Sequence, residues 1–278
     1  MNTINRIQRK SNILFHESTS FMRVVPDFVI VGTSFCGKTL LYNNLVQHKF
    51  ILNNLREESG YFLDTHHKGF NWYKSNFPTY LFRIFFEVIH GKKPRVGETV
   101  NLPGYFVPKR VSEKLGKPKI IAILRNPVDR AYARYLEEIR NGNETKSFEE
   151  VLENEFDLIK NMEDEIIKSN SISDSRQLFL YRLEGIYVEY LIQWNQYFPK
   201  GDILVIRTED LFSNPVQTAN KCFEFLDLEP IKELKQTGEN YEKDASIMKE
   251  ETRKKLLDYF KPHNEKLYQF LNIDLEWK

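Results

Sequence analysis

The sequence predicts an α/β fold, a mainly parallel sheet flanked by helices on both faces. Two observations carry this expectation. Short apolar runs of β type alternate with longer segments of helical period, and each run is followed by polar residues, as at the ligand-binding strand ends of open α/β sheets. With 278 residues, 41% of them hydrophobic, the chain can bury one sizeable core without dividing.

Phe28-Val29-Ile30-Val31 and Ile120-Ile121-Ala122-Ile123-Leu124 are almost wholly apolar, as strands buried on both faces are. Ile203-Leu204-Val205-Ile206 reads the same way, and Arg95-Val96-Gly97-Glu98 is a weaker fourth strand. The helices follow from period: Phe82, Phe85, Phe86 and Ile89 recur at helical spacing and are expected as a core stripe. Ser147 and Glu150 form a capping box ahead of Val151, Leu152, Phe156, Ile159, Met162 and Ile166. Tyr187, Leu191 and Trp194 mark a further helix. Pro262 is expected to split the last one, with Leu256 and Phe260 before it and Leu267 and Phe270 after. Residues 1–25 are expected as a mobile N-terminal arm, 26–278 as the domain, and Ser169 to Ser175 as a surface loop.

The 40 basic and 39 acidic residues nearly cancel, which excludes the global field that would recruit nucleic acid or an anionic membrane, so any binding of anions is expected to be local. Cys36 and Cys222 stand in no metal-ligand or C-x-x-C spacing, so neither a disulfide scaffold nor a zinc site is expected. The first 26 residues carry Arg6, Arg9, Lys10 and Arg23 without the apolar centre of a secretory signal. The apolar stretch Tyr80 to His90, interrupted by Arg83 and Glu87, is too short to cross a bilayer. A soluble cytoplasmic protein without a transmembrane segment is the expectation.

The strongest local pattern is Gly32-Thr33-Ser34-Phe35-Cys36-Gly37-Lys38-Thr39, which fits G-x-x-x-x-G-K-[ST] between a strand and the helical run Leu40 to Gln47. The glycines let the backbone wrap around an anion, the N–H groups at the helix start face it, and Lys38 adds a mobile cation. This is a P-loop-type phosphate site. A kinase or triphosphatase would also need an acid at a second strand end to hold Mg²⁺. Instead, Ile120 to Leu124 runs into Arg125-Asn126, and Ile203 to Ile206 into Arg207-Thr208 before Glu209-Asp210. Arg125, with Pro127 opening a helix behind it, suits a second, dianionic phosphate. Arg130 and Arg134, four residues apart, either extend that basic wall or pair with Glu137 and Glu138. A nucleotide kinase or triphosphatase, and a catalytically silent nucleotide-binding relative, stay open as alternatives.

With these landmarks the sequence resembles the sulfotransferases that use 3′-phosphoadenosine 5′-phosphosulfate (PAPS), especially the bacterial and heparan-sulfate-type members, from about Pro26 to Trp277. Asp27 to Leu41 is similar to the family's 5′-phosphosulfate loop. Gly69-Phe70-Asn71-Trp72-Tyr73 and Asn76-Phe77-Pro78 look like its Gly-x-x-Trp-Tyr and Phe-Pro element, and Gly97-Glu98 like the start of its Gly-Glu segment. The stretch Ile123 to Tyr132 is similar to its 3′-phosphate motif. Glu184-Gly185-Ile186-Tyr187, Thr208-Glu209-Asp210-Leu211, Phe225-Leu226 and Pro262-His263-Asn264 then follow in family order.

The resemblance implies in-line transfer of a sulfonate from PAPS to a hydroxyl or amine, with 3′-phosphoadenosine 5′-phosphate (PAP) as product and no metal. Ser34, Phe35, Cys36, Gly37, Lys38, Thr39 and Leu40 would hold the 5′-phosphate, with Lys38 neutralising the leaving oxygen. Arg125 and the position of Ala133 would serve the 3′-phosphate, Tyr187 and Tyr241 the adenine, and Lys243 a closing loop from Asn240. Glu98 is expected as the base; other relatives use a glutamate in the segment holding Glu57, Glu58 and Asp64, and His66 and His67 are outsiders. Three positions and one segment depart from the family pattern. Phe35 stands where a lysine is usual, Lys38 where a threonine is, Ala133 where a serine is, and Thr99-Val100-Asn101 replaces the lysine or serine after Glu98. The acceptor is left open among carbohydrate, lipid and small molecule, as is homodimer formation. The aromatic residues from Tyr61 to Phe86 either line its cleft or fill the core.

Overall fold

The computed structural model describes residues 16–155, 181–235 and 248–277. Five parallel strands form one sheet in the order β2-β3-β1-β4-β5: β1 Phe28–Gly32, β2 Ile51–Leu52, β3 Arg95–Asn101, β4 Lys119–Leu124 and β5 Ile203–Arg207. The four expected strands are present; at the carboxyl end β1 and β5 run one residue further than the apolar runs reveal, to Gly32 and Arg207, and β3 runs three further, to Asn101. The fifth, β2, is too short to carry a period; it exists because Ile51 and Leu52 pair with Arg95 and Val96. Every residue of β1 is buried, which requires cover on both faces. Gly97 of β3 is obligatory there, because a Cβ would stand 2.1 Å from the Phe28 ring.

Nine helices of the described residues serve the site or its frame: α1 Lys38–Leu45, α2 Phe70–Lys74, α3 Tyr80–His90, α4 Val107–Leu115, α5 Pro127–Arg140, α6 Tyr187–Tyr197, α7 Thr208–Ser213, α8 Pro215–Phe225 and α9 Glu250–Leu271. α1 packs on β1 and β3, α8 on β5 and α1, and α9 on α5 and α6. Asn126 caps α5 by accepting from the Val128 N–H at 3.0 Å, with Pro127 preorganised in the first turn. The expected capping box is formed: the Glu150 carboxylate accepts from the Ser147 N–H at 2.8 Å and its hydroxyl at 2.7 Å, ahead of helical residues 148–155. The positions Phe156, Ile159, Met162 and Ile166, and the run Ser169 to Ser175, lie outside the described residues.

Two expectations fail for tertiary reasons. Pro262 does not split the last helix; α9 continues through it, because Leu256, Phe260 and Leu267 are buried on one face and their packing outweighs the lost backbone bond. Nor are Phe82, Phe85 and Ile89 a core stripe. Arg83, on the other side of α3, gives both Asp27 carboxylate oxygens a bond of 2.6 Å, which pins that side inward and leaves the apolar arc outside. Arg23 reaches the Phe77 carbonyl at 2.6 Å and the Val24 N–H the Pro78 carbonyl at 3.1 Å, so the chain ahead of β1 is fastened to the segment leading into α3.

Candidate active site

The carboxyl ends of β1, β3 and β4 converge, and each delivers one polar group. The loop after β1 turns sharply into α1 through Gly37, whose φ of 84° suits a residue without a Cβ. Gly37 offers no side chain to cap α1, so the first N–H groups of that helix are left for an external acceptor. Phe35 adopts φ 68°, a left-handed conformation costing about 1–2 kcal/mol for a residue with a side chain. Its carbonyl accepts from Arg125 Nη1 at 3.2 Å, the contact that ties the loop to the end of β4.

Lys38 is 92% shielded, and its ammonium donates to the carbonyls of Gly32 at 3.1 Å and Thr33 at 3.4 Å and to Asn101 Oδ1 at 2.9 Å. Asn101, the last residue of β3, donates through Nδ2 to Glu58 Oε1 at 2.9 Å. Only one orientation of that amide satisfies both neighbours, a cation on one side and a carboxylate on the other. An ammonium, an amide and a carboxylate therefore form one chain. A cavity of about 210 Å³ opens beside it, lined by Gly37, Lys38, Thr39 and Leu40 together with Glu58, Arg125 and Phe212. The Arg125 guanidinium faces the Phe212 ring, 5.9 Å from its centroid. This donor set, uncapped helix N–H groups with one cation at the start of α1 and another just after β4, fits a ligand bearing separate anionic groups.

Several expected residues take other places. Glu98 does not line the cavity. It is 1% exposed on β3, three residues before Asn101, and accepts from the Ser59 N–H at 3.2 Å, from the Ser59 hydroxyl, and from Tyr73 Oη at 2.5 Å. The Thr99 N–H meanwhile holds the Glu57 carbonyl at 3.1 Å, so β3 grips residues 57 and 59 and sets Glu58 between them. Tyr187 is buried behind the loop. Its hydroxyl donates to the Arg125 carbonyl at 2.8 Å and lies 3.6 Å from Cys36 Sγ, which fixes the glycine loop and the end of β4 relative to each other and leaves no face for an adenine. Arg130 is buried against Glu184 at 3.0 Å and the Tyr181 carbonyl, while Arg134 pairs with Glu138 at 3.2 Å and Glu184 at 3.7 Å. Neither extends a basic wall, because Glu184 from the turn ahead of α6 neutralises that side. Ala133 is half-buried on α5 and is not part of the cavity lining, and Ser34 is likewise beside it. Tyr241 and Lys243 lie outside the described residues. The His66 ring lies tilted by 42° against Tyr61 with centroids 4.8 Å apart, and Tyr61, Phe62, Tyr73 and Phe77 are core, not cleft.

Thr208, at the start of α7, was quoted from the sequence only as a landmark; its hydroxyl lies 2.6 Å from the Cys36 carbonyl and 3.0 Å from that of Leu124, sharing one proton between loop and strand end. Asn101 enters the sequence reading only within the Thr99-Val100-Asn101 departure, and Phe212 carries no sequence signal, since an aromatic in a short helix is common.

Burial pushes the Glu98 carboxyl up from 4.5 to about 7, against the lowering effect of the Ser59 and Tyr73 bonds. Between those values the unfolded chain has lost this proton and the folded chain keeps it. The contribution of Glu98 to stability therefore declines as pH rises through that window. In the Glu98→Gln protein this component is absent, so thermal unfolding followed against pH should show the variant gaining on the parent from pH 4.5 to about 7; a pH-independent difference would mean that the carboxyl titrates normally.

A glycine loop, a strand-end arginine and a carboxylate gathered around one cavity at the carboxyl edge of a parallel sheet define an enzyme that transfers an anionic group. The chain belongs to the sulfotransferase domain family, whose model matches residues 25–266. A sulfotransferase from Alicyclobacillus acidocaldarius has a similar crystal structure, with a TM-score of 0.64 and 26% identity over 91% of this chain and 98% of that one. The membrane-associated sulfotransferase kil1 of Dictyostelium discoideum is 25% identical over 91% of this chain and 67% of its own length. Mouse heparan sulfate glucosamine 3-O-sulfotransferase 3B1 is 25% identical over 91% of this chain and 65% of its own. The mouse bifunctional heparan sulfate N-deacetylase/N-sulfotransferase 4 is 28% identical over 74% of this chain, which spans only 23% of that protein. No helix of the described residues is long and apolar enough to cross a membrane.

Proposed function

We propose that this chain transfers a sulfonate from PAPS to a hydroxyl or amine of a carbohydrate, with Glu58 as the base. The observation that carries the reading is the single cavity bounded by Lys38, Glu58 and Arg125, in which Asn101 joins the cation to the carboxylate. The carbohydrate acceptor rests on the printed names of the similar heparan sulfate enzymes.

When bound, the nucleotide supplies the sulfonate and departs with the extra charge on its 5′-phosphate. Lys38 turns from its loop carbonyls to that charge, while the N–H groups at the start of α1 hold the phosphate. Arg125 binds the 3′-phosphate and keeps the nucleotide in register with the loop through the Phe35 carbonyl. Glu58, exposed at the cavity edge, takes the acceptor proton. Lys38 does from within the loop what a lysine at position 35 does in the family pattern; Phe35 instead lies under the Arg134 guanidinium at 5.9 Å.

Calorimetry tests the reading. PAP is expected to bind without Mg²⁺ and ATP with Mg²⁺ not to bind; the opposite result would return the chain to the kinase class. Arg125→Ala is expected to weaken PAP roughly a hundredfold, the worth of a charge-assisted pair, and to leave adenosine 5′-phosphate nearly unchanged. Equal losses for both nucleotides would show that Arg125 does not contact the 3′-phosphate.

A further inference from the structure

α3 turns its apolar side away from the protein. Leu81, Phe82, Ile84, Phe85, Val88 and Ile89 are all exposed, up to 63% for Phe85 and 76% for Val88. At about 100° per residue these six occupy one unbroken arc, with Leu81 and Phe85 at its middle and no charged residue within it. Only Arg83 and Phe86, on the opposite side, are tucked against the body. Scattered exposed apolar residues are ordinary, but a contiguous face of two aromatic and four aliphatic side chains marks a surface that something covers.

The surroundings say what covers it. Tyr80, the first residue of α3, is also the wall of an open cleft of about 550 Å³. Six cationic side chains line that cleft: Arg23, Lys74, Arg83, Arg95, Lys117 and Lys119. Asp27 and Asp227 are its two carboxylates; Asp27 is taken up by Arg83, and Asp227 is shared by Lys119 at 2.9 Å and Arg95 at 3.2 Å. Beyond Gly91 at the other end of the helix come Lys92, which faces Glu229 at 4.0 Å, and Lys93. An apolar helix face bordered by excess positive charge is complementary to a bilayer surface with anionic headgroups, whereas a second copy of the same face would bring these cations together. With 11 residues and a length of about 16 Å, α3 is too short to span and would lie in the interfacial plane.

We propose that α3 and the adjoining basic cleft form a docking surface for an anionic lipid bilayer. Asp27, Arg95 and Lys119 stand at the amino ends of β1, β3 and β4, whereas Lys38 and Arg125 follow the carboxyl ends of β1 and β4. The docked protein therefore keeps its nucleotide cavity on the side of the sheet away from the lipid. This inference does not depend on the sulfonate-transfer reading.

Sedimentation of the full chain with phosphatidylcholine vesicles, with and without phosphatidylserine, tests it. Binding is expected to the phosphatidylserine vesicles, to weaken with added salt, and to be much weaker on phosphatidylcholine alone. Phe85→Glu with Val88→Glu, both at exposed positions, is expected to lower the partition at least about tenfold. Lys74→Glu with Lys117→Glu is expected to do the same through charge. Both variants should retain the parent's thermal unfolding. Failure of the parent to sediment, equal binding to both vesicle types, or undiminished binding by the α3 variant would overturn the proposal. So would a concentration-dependent dimer in analytical ultracentrifugation that the α3 variant disperses, since the face would then be covered by a second copy.

Discussion

Replacing Lys38 with alanine is expected to abolish turnover, with kcat falling by at least about a hundredfold and PAP binding weakened in calorimetry. The effect is large because, among the described residues, Arg125 is the other cation lining the cavity and it cannot take this place. Phe35 occupies the position at which the family pattern has its lysine, Thr99 the position after Glu98, and Arg125 is held 3.2 Å from the Phe35 carbonyl. The charge that develops on the leaving oxygen would meet only backbone N–H groups. Stability should change far less, since the Gly32 and Thr33 carbonyls released by the substitution lie beside a cavity that water can enter. Normal kinetics in the variant would remove Lys38 from the mechanism and, with it, the idea that the cation has moved within the loop.

Glu58→Gln is the second large effect, an expected loss of about 10²–10⁴ in kcat with the KM for PAPS little changed. A glutamine oxygen still accepts from Asn101 Nδ2, so the Lys38 end of the chain stays in place and only the capacity to take a proton is lost. Glu98→Gln supplies the control. Its site is closed off by Ser59 and Tyr73, and the substitution is expected to alter kcat only through the position of the 57–59 segment. If kcat collapses in the Glu98 variant and survives in the Glu58 variant, the assignment of the base reverses.

The contrast between these two carboxylates indicates how far sequence reading reaches. Both stand near family-like motifs, and position along the chain favours Glu98, at the apparent end of a strand. The strand in fact runs on to Asn101, so Glu98 sits within the sheet and its side chain is buried. The same limit applies to α3. A period of apolar residues reports that one side of a helix is alike, and cannot report which side the Asp27–Arg83 pair turns inward. The resemblance implies Tyr187 beside the adenine, and the sequence leaves Arg130 open between a basic wall and an ion pair; their hydroxyl and guanidinium are spent on the Arg125 carbonyl and on Glu184, partners far away in sequence.

By itself the sequence determined the order of elements, the glycine loop with its lysine, the arginine after β4, and membership of the sulfotransferase domain family. These depend on local signals: apolar runs, turn geometry and motif order are written in neighbouring residues. The tertiary structure decided which carboxylate reaches the cavity, which arginines are spent on internal pairs, and which face of α3 meets the outside. Those outcomes turn on contacts between segments tens of residues apart, where burial and pairing energies compete and no local pattern records the winner.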